Sequence, residues 1–249
     1  MVKSSVDYAT DNITVYRYCV YECAYCWAWR VPLFSYRISR GKYDPIVEAR
    51  KYLRVKGRRV IVVSFTSDPY PEIEIYSRLT GRVLKILAET NHRVLVLTKA
   101  PNLAVDLDLY TFMKAPDMWL GTTIITLKPT KLEPKAPEPS RRLEALKYAK
   151  QFGVKTWLSV EPIIPYVTYP VEIIEKTIGY VDFYVLGAYN YYRLISLPRI
   201  NRYIPENGKF TKRELTVWYK IHVPKAIKFI EKHGKQYFIK KELKKYLGN

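Results

Sequence analysis

Long apolar runs are missing from this chain: nowhere in its 249 residues is there a stretch near the about 20 apolar residues a membrane-spanning helix needs. The opening residues, Met1-Val-Lys-Ser-Ser-Val-Asp-Tyr8, lack the apolar core of a signal peptide. Both absences lead to the expectation of a soluble, cytoplasmic protein with no membrane partner. Cysteine is scarce as well. Three residues, an odd number close together, argue against a disulfide framework. Glutamine occurs only at positions 151 and 236, beside 42 Lys and Arg and 23 Tyr, a bias that fits a heat-adapted (thermophile) source. Apolar and aromatic residues are plentiful, at 48% and 14%, which excludes a disordered chain and allows a substantial core.

The formal net charge of +19 is unevenly placed. Residues 1–59 hold 12 basic and 5 acidic side chains, and residues 209–249 hold 12 and 3, while the middle is close to balance with 18 and 15. Such a field attracts a polyanion and makes its binding salt-dependent. Solvated lysines on a thermophile surface explain the charge equally well.

Short β-branched runs alternate with helical patterns along most of the chain. The pattern predicts strands over 13–16, 59–64, 93–97, 118–126, 155–160 and 182–186. It predicts helices over 44–56, 75–90, 103–114, 140–152 and 171–178. Runs such as Val60-Ile-Val-Val63 are apolar throughout, as in strands covered on both faces. Six strand–helix units imply an α/β protein with a parallel sheet and right-handed crossovers. The expected fold is a partial (β/α)6 barrel over residues 1–208, with a doubly wound sheet as the alternative architecture. Residues 209–249 form a basic, mainly helical C-terminal extension packed on the same domain. In it, a long amphipathic helix over 212–232 stops at Gly234, and a short strand candidate over 236–239 precedes Lys240-Lys-Glu-Leu-Lys-Lys245.

The cysteines lie within eight residues, Cys19-Val-Tyr-Glu-Cys23-Ala-Tyr-Cys26, just after the first strand. Thiolates on one short loop supply soft, anionic ligands in one direction, as a metal or cluster requires. Three ligands to a [4Fe–4S] cubane leave one iron open to the amino and carboxylate groups of S-adenosylmethionine (SAM). Reductive cleavage of the sulfonium then yields a 5′-deoxyadenosyl radical. A zinc site with a fourth ligand from His92, His222 or His233 is one alternative, although all three lie far away in sequence. Three buried structural cysteines are another, disfavoured by Glu22 and the tyrosines of the loop.

With these cysteines, the segments Thr66-Ser-Asp-Pro-Tyr-Pro-Glu-Ile-Glu74, Leu97-Thr-Lys99, Glu133-Pro-Lys-Ala-Pro137 and Val160-Glu-Pro-Ile-Ile-Pro165 resemble the radical SAM superfamily, in its spore photoproduct lyase-like branch. The resemblance runs from about Tyr16 to Tyr192. It implies an enzyme with the partial barrel fold, a [4Fe–4S] cluster on Cys19, Cys23 and Cys26, SAM as second cofactor, and an external electron donor such as ferredoxin or flavodoxin. It places Tyr25 beside the SAM adenine and assigns SAM contacts to Ser67 and Lys99, with Asp68 next to them. Thr123 (or Thr122), Ser159 and Glu161 are the candidates for ribose hydroxyls or the methionine end, at the strand ends where barrel ligands bind. Asp68 and its prolines also suit a simple turn before a helix, and Glu133 suits a solvated loop acid equally well.

One position departs from the lyase pattern. Where the lyase carries a hydrogen-donating cysteine, this chain has Phe65, and no cysteine remains outside the loop. Thiol-terminated repair of thymine photoproducts is therefore not expected, and Tyr21 and Tyr70 are possible substitute donors without special claim. The basic chain ends should flank the lateral mouth of an open barrel. Arg30, Arg37, Arg40 and Lys42, interleaved with Trp27, Trp29, Phe34 and Tyr36, have the mix that holds phosphates and stacks bases, or else lids the cluster. The substrate expected is a nucleic acid, DNA or RNA. A peptide or small metabolite is the alternative, as is a non-catalytic nucleic-acid-binding protein with a structural metal. Lys240, Lys241, Lys244 and Lys245 read as a solvated helix face or as phosphate ligands.

Overall fold

The computed structural model describes residues 1–30 and 43–248, with the side chains of Trp29 and Arg30 left aside. Arg37, Arg40, Lys42, Phe34 and Tyr36 of the interleaved stretch lie outside the described residues. Seven parallel strands form one curled half-barrel: β1 (Asp11–Ile13), β2 (Val60–Val63), β3 (Arg93–Leu97), β4 (Met118–Thr123), β5 (Lys155–Ile163), β6 (Phe183–Ala188) and β7 (Gln236–Ile239), in sequential order. The short strand candidate at 236–239 thus joins the sheet as its seventh strand, in register with β6. Among the described residues no helix is long and apolar enough to cross a membrane.

The helices start where the sequence stops strands and supplies caps. Pro45, Pro101, Pro139 and Pro170 each occupy the first helical position of α2 (Pro45–Lys51), α5 (Pro101–Lys114), α6 (Pro139–Gln151) and α7 (Pro170–Thr177), where the missing N–H costs nothing. A one-turn helix α1 (Trp27–Arg30) follows the cysteines. The helix α8 (Lys212–Lys232) opens on a capping box between Thr211 and Glu214, and α9 (Lys241–Leu247) follows β7. The single helix expected over 75–90 is two, α3 (Glu74–Ser77) and α4 (Leu79–Ala88), broken at Arg78, whose φ is 50°. The break has a cause in side-chain bonding: the Glu74 carboxylate turns back to accept from Thr80 N and Gly81 N at 3.0 Å, capping α4 from the preceding turn. The first strand is also earlier than the pattern suggested, because Val15 and Tyr16 already belong to the loop that carries the cysteines.

The convex face of the sheet packs on the helices through fully buried residues such as Ile61, Val96, Leu120, Leu158 and Leu186. The concave face carries a second cluster, with Leu95, Trp119, Trp157 and Val185 ringed by Tyr8, Phe183 and Phe238. Trp157 Nε1 donates to Val96 O at 3.1 Å, and its ring fills the space beside Gly121, where a Cβ would come within 2.3 Å of it. This aromatic plug floors the half-barrel and confines polar chemistry to the next inward-facing layer, at the C-terminal ends of the strands. Residues before β1 and after β7 meet: Lys241 N donates to Asp7 Oδ2 at 2.6 Å, and Tyr8 lies 6.0 Å from the Phe238 ring. The lateral mouth expected between the first and last strands is therefore crossed by residues 7 and 8, which fill the interior with Tyr8.

Candidate active site

The loop after β1 brings the three cysteines to the C-terminal end of the sheet. Cys26 N donates to Cys23 O at 3.0 Å, Glu22 takes φ 47°, and Ala24 N is anchored to Leu132 O at 2.9 Å. All three cysteines are free thiols around one cavity of about 120 Å3, which Tyr25, Ser67, Asp68, Lys99 and Thr123 also line. Burial pushes the Cys19 thiol up to about 12, with the Asp68 charge adding to it, and the Cys23 thiol up to about 11 against the pull of Lys99. Among the described residues, no three His, Cys, Asp or Glu side chains converge as ligands of a single ion do. The histidines lie elsewhere: His92 bonds Tyr52 O and Arg59 N below β2 and β3, His222 stacks on Trp218, and His233 bonds Phe229 O.

A second cavity of about 130 Å3 shares Tyr25, Cys26, Phe65, Leu97, Lys99 and Thr123 with the first and extends to Ser159, Glu161 and Asn190. All ten residues singled out from the sequence thus line one or both cavities. Their bonding is uneven. Asp68 is buried, with Oδ1 accepting from Thr98 Oγ1 (2.6 Å) and Tyr70 N (2.9 Å) and Oδ2 from Lys99 N (2.7 Å), so it ties β2 to β3 while facing the cavity. Ser67 Oγ donates to Tyr16 O at the start of the cysteine loop. Thr122 faces away, donating to Thr98 O at 2.6 Å, which leaves Thr123 as the residue of that pair in the cavity.

Lys99 belongs to a dry polar network. Its Nζ donates to Glu133 Oε1 at 2.7 Å and to Tyr25 OH at 2.8 Å, and Tyr25 OH also donates to Glu133. Arg142, only 1% exposed, donates to Glu133 Oε2 at 2.6 Å and to Thr123 O at 3.0 Å. Burial pushes the Glu133 carboxyl up, but Lys99 and Arg142 outweigh it and hold it at about 2. Glu133 is therefore not a solvated loop acid; a desolvated carboxylate between two cations keeps its charge because each oxygen has a cationic partner. Arg142 escaped the sequence reading, yet a signal exists: it shares a helical face with Leu146 and Ala149, four and seven residues on, where a cation needs a buried partner.

Lys240 corrects a second expectation. It is buried, not part of a solvated face: its Nζ donates to Glu161 Oε1 at 2.7 Å and lies 5.1 Å from the Phe65 ring. Burial raises the Glu161 carboxyl, and Lys240 opposes it. Gly187 makes this pair possible, since a Cβ there would come within 2.4 Å of the Glu161 carboxyl carbon. Phe65 also packs 6.0 Å from Trp27, so an aromatic wall stands at the position marked by the missing cysteine. Tyr21 OH donates to Tyr70 O and Tyr70 OH to Asp108, which commits both hydroxyls inside the protein.

A sequential parallel half-barrel, with a three-cysteine loop after its first strand and charged residues lining the C-terminal edge, is the architecture of one enzyme class. The family model described as "Radical SAM superfamily" matches residues 13–178, and the chain belongs to that superfamily. It is a radical SAM enzyme, and the superfamily's cofactors are a [4Fe–4S] cluster and SAM. It is 30% identical over 189 residues to the uncharacterized protein MJ0683 of Methanocaldococcus jannaschii, covering 72% of this chain and 70% of that one. It is 28% identical over 166 residues to ORF301 of Acidianus two-tailed virus, covering 59% and 54%. Among solved structures, spore photoproduct lyase with bound SAM and dinucleoside spore photoproduct superposes at TM-score 0.67 and 17% identity, over 96% of this chain and 78% of the lyase. SuiB of Streptococcus suis bound to SAM superposes at TM-score 0.61 and 14% identity, over 92% of this chain and 50% of SuiB. The chain spans about half the length of SuiB and of the viral relative.

Proposed function

We propose that Cys19, Cys23 and Cys26 hold the [4Fe–4S] cluster and that SAM occupies the two joined cavities, with a nucleic acid as substrate. The observation that carries the cofactor assignment is that three free thiols, Tyr25, Lys99 and the inward-facing ends of β4 and β5 line two cavities that share six residues. The donor set fits: soft thiols standing around a space rather than closing on a point suit a polynuclear cluster better than a lone zinc ion. Their raised pKa values mean that loading the cluster releases protons from Cys19 and Cys23. Bound together, cluster and SAM supply a 5′-deoxyadenosyl radical once an external one-electron donor, of the ferredoxin or flavodoxin kind, reduces the cluster.

The protein's own residues bind and orient. Lys99 offers its ammonium to the SAM carboxylate while Glu133 and Tyr25 fix its position. Ser159, Thr123 and Glu161 offer hydroxyl and acceptor groups to the ribose, with Lys240 fixing the position of Glu161 by a 2.7 Å contact to its Oε1. Trp27, Phe65 and the aromatic floor exclude water. For the substrate, the support is electrostatic. The basic C-terminal segment, with 12 basic and 3 acidic side chains over residues 209–249, reaches the seam, where α9 presents Lys241, Lys244 and Lys245 to solvent. A peptide substrate is the second reading, favoured by the fold shared with SuiB, which has been solved with its precursor peptide SuiA.

Anaerobic reconstitution with iron and sulfide, then dithionite and SAM, tests the cofactor assignment. The wild type should bind four irons and release 5′-deoxyadenosine, and Cys23→Ala should do neither. Failure of the wild type to load four irons, or full loading of Cys23→Ala, defeats it. Titration with tRNA and DNA across a salt series tests the substrate reading: steep salt dependence supports it, and no binding at low salt removes it.

A further inference from the structure

The loops leaving β4, β5 and the segment after β6 enclose another cavity, about 330 Å3, that shares no lining residue with the two at the cysteines. This is the lower end of the range of ligand pockets, about 300–1,000 Å3. Lys128, Thr130, Tyr166, Tyr169, Glu172 and Asn201 line it. Two of its lining residues, Tyr166 and Tyr169, belong to an aromatic cluster that reaches the surface. Tyr166 stacks on Tyr203 (5.1 Å, 21°) and packs on Trp218 (4.7 Å), which in turn lies 4.0 Å from His222, with Tyr169 edge-on to Trp218 at 5.2 Å. Tyr203 is 51% exposed, and Tyr166 and Tyr169 are each 37% exposed.

Two further observations point to a ligand. Tyr166 has φ 61°, a left-handed conformation that a bulky side chain keeps only where surroundings enforce it. Asn201 does the enforcing: its Nδ2 donates to Tyr166 O at 3.2 Å, and its Oδ1 accepts from Tyr203 N at 2.9 Å and Ile204 N at 3.1 Å. One side chain thus sets both members of the stacked pair. The polar groups are also sorted. Arg202 lies 4.9 Å from the Tyr203 ring centre, and Lys128, exposed, has no ion-pair partner among the described residues. Glu172 places an acceptor in the wall of the same cavity. Partly exposed tyrosine rings, with Lys128, Glu172 and the nearby Arg202, match a nucleotide. The base stacks, the phosphate meets Lys128 or Arg202, and an exocyclic amine donates to Glu172.

We propose that this cavity is a docking subsite for an unpaired nucleotide of single-stranded nucleic acid, separate from the cofactor cavities. The proposal rests on the nucleic-acid reading above and adds where the strand is gripped and that it is unpaired there. The test is fluorescence anisotropy of the full chain with labelled single-stranded RNA and DNA 12-mers. Tyr203→Ala and Tyr166→Ala should each weaken binding about tenfold, whereas Tyr203→Trp retains it, because a larger ring still stacks. Lys128→Glu should lower the salt slope by about one. Tyr76→Ala and Tyr110→Ala, at exposed tyrosines elsewhere, should change nothing. Wild-type binding that survives both tyrosine changes overturns the subsite and leaves the nucleic-acid reading standing. A wild type that binds neither 12-mer at low salt removes that reading and the subsite with it. Circular dichroism of Tyr203→Ala separates lost stacking from lost fold, and a binding loss shared by Tyr203→Trp also overturns the proposal.

Discussion

Two carboxylates ringed by cations stand on either side of β4, and they are built for different purposes. Asp117, just before the strand, accepts from Arg58, Arg93 (2.9 Å), Lys155 (2.7 Å) and Trp119 Nε1 (2.7 Å). Glu133, in the loop after it, accepts from Lys99, Arg142 and Tyr25. Burial pushes both carboxyls up, and in both the cations win and hold the group well below its ordinary range. The difference lies in where the cations stand. Those around Asp117 are 39–61% exposed, while Lys99 and Arg142 are 13% and 1% exposed. Water screens the first set and is excluded from the second. The screened clamp holds the N-terminal ends of β3, β4 and β5 together; the dry network sets the position of a lysine that faces the cofactor cavity.

The sharpest way to break this comparison is Glu133→Ala. It leaves two buried cations without a counter-charge, and a broken buried pair costs about 3–5 kcal/mol. Urea denaturation should show a loss of that order, with Lys99 no longer fixed at the cavity. A loss below about 1 kcal/mol would mean that water reaches the network and that the two sites are alike.

The same contrast can be drawn along pH. The folded Glu133 carboxyl sits at about 2, below its unfolded value of roughly 4.3. Its contribution to stability is therefore complete above the unfolded value and is lost as pH falls toward 2. The gap is worth about 3 kcal/mol. Other carboxylates titrate in that window, so the informative quantity is the difference between wild type and Glu133→Gln. That difference should be greatest at pH 5 and should shrink steadily by pH 2. A constant difference would assign the Glu133 effect to packing instead of charge.

Much of this was legible beforehand where one rule governed one segment. The apolar runs gave the strands, and the apolar periodicity gave helix starts close to those observed. The three cysteines and the motif segments named ten residues that line two joined cavities. What stayed hidden required distance in sequence to become contact in space. Nothing near Glu133 says that Arg142 and Lys99 converge on it, and nothing in Lys240-Lys-Glu-Leu-Lys-Lys245 says that the first lysine turns inward while Lys241, Lys244 and Lys245 stay outside. The strand pattern held a hint. Phe238 and Lys240 are two apart, and Phe238 already belongs with the concave cluster, so period two carries Lys240 toward the cavity. The break at Arg78 was hidden for a different reason: a side chain six residues upstream, Glu74, caps the helix against the local periodicity.

The smallest effect in the comparison belongs to Asp117→Asn. Hydrogen bonds to charged groups are worth about 1.5–3 kcal/mol each when water is kept away. Here the three cations are substantially exposed, and asparagine can still accept from Trp119 Nε1, so the net loss should be about 1 kcal/mol. Salt separates this clamp from the network above it. In 1 M KCl, where screening acts within about 3 Å, most of the Asp117→Asn loss should vanish, while the Glu133→Ala loss should stay nearly whole. If both losses fall together with salt, the dry network is open to solvent and the distinction between the two ends of β4 fails. If neither falls, the Asp117 clamp is as desolvated as the network, and its cations must close over the carboxylate in solution. Either result would be read from two denaturation series on two variants, with no cofactor needed.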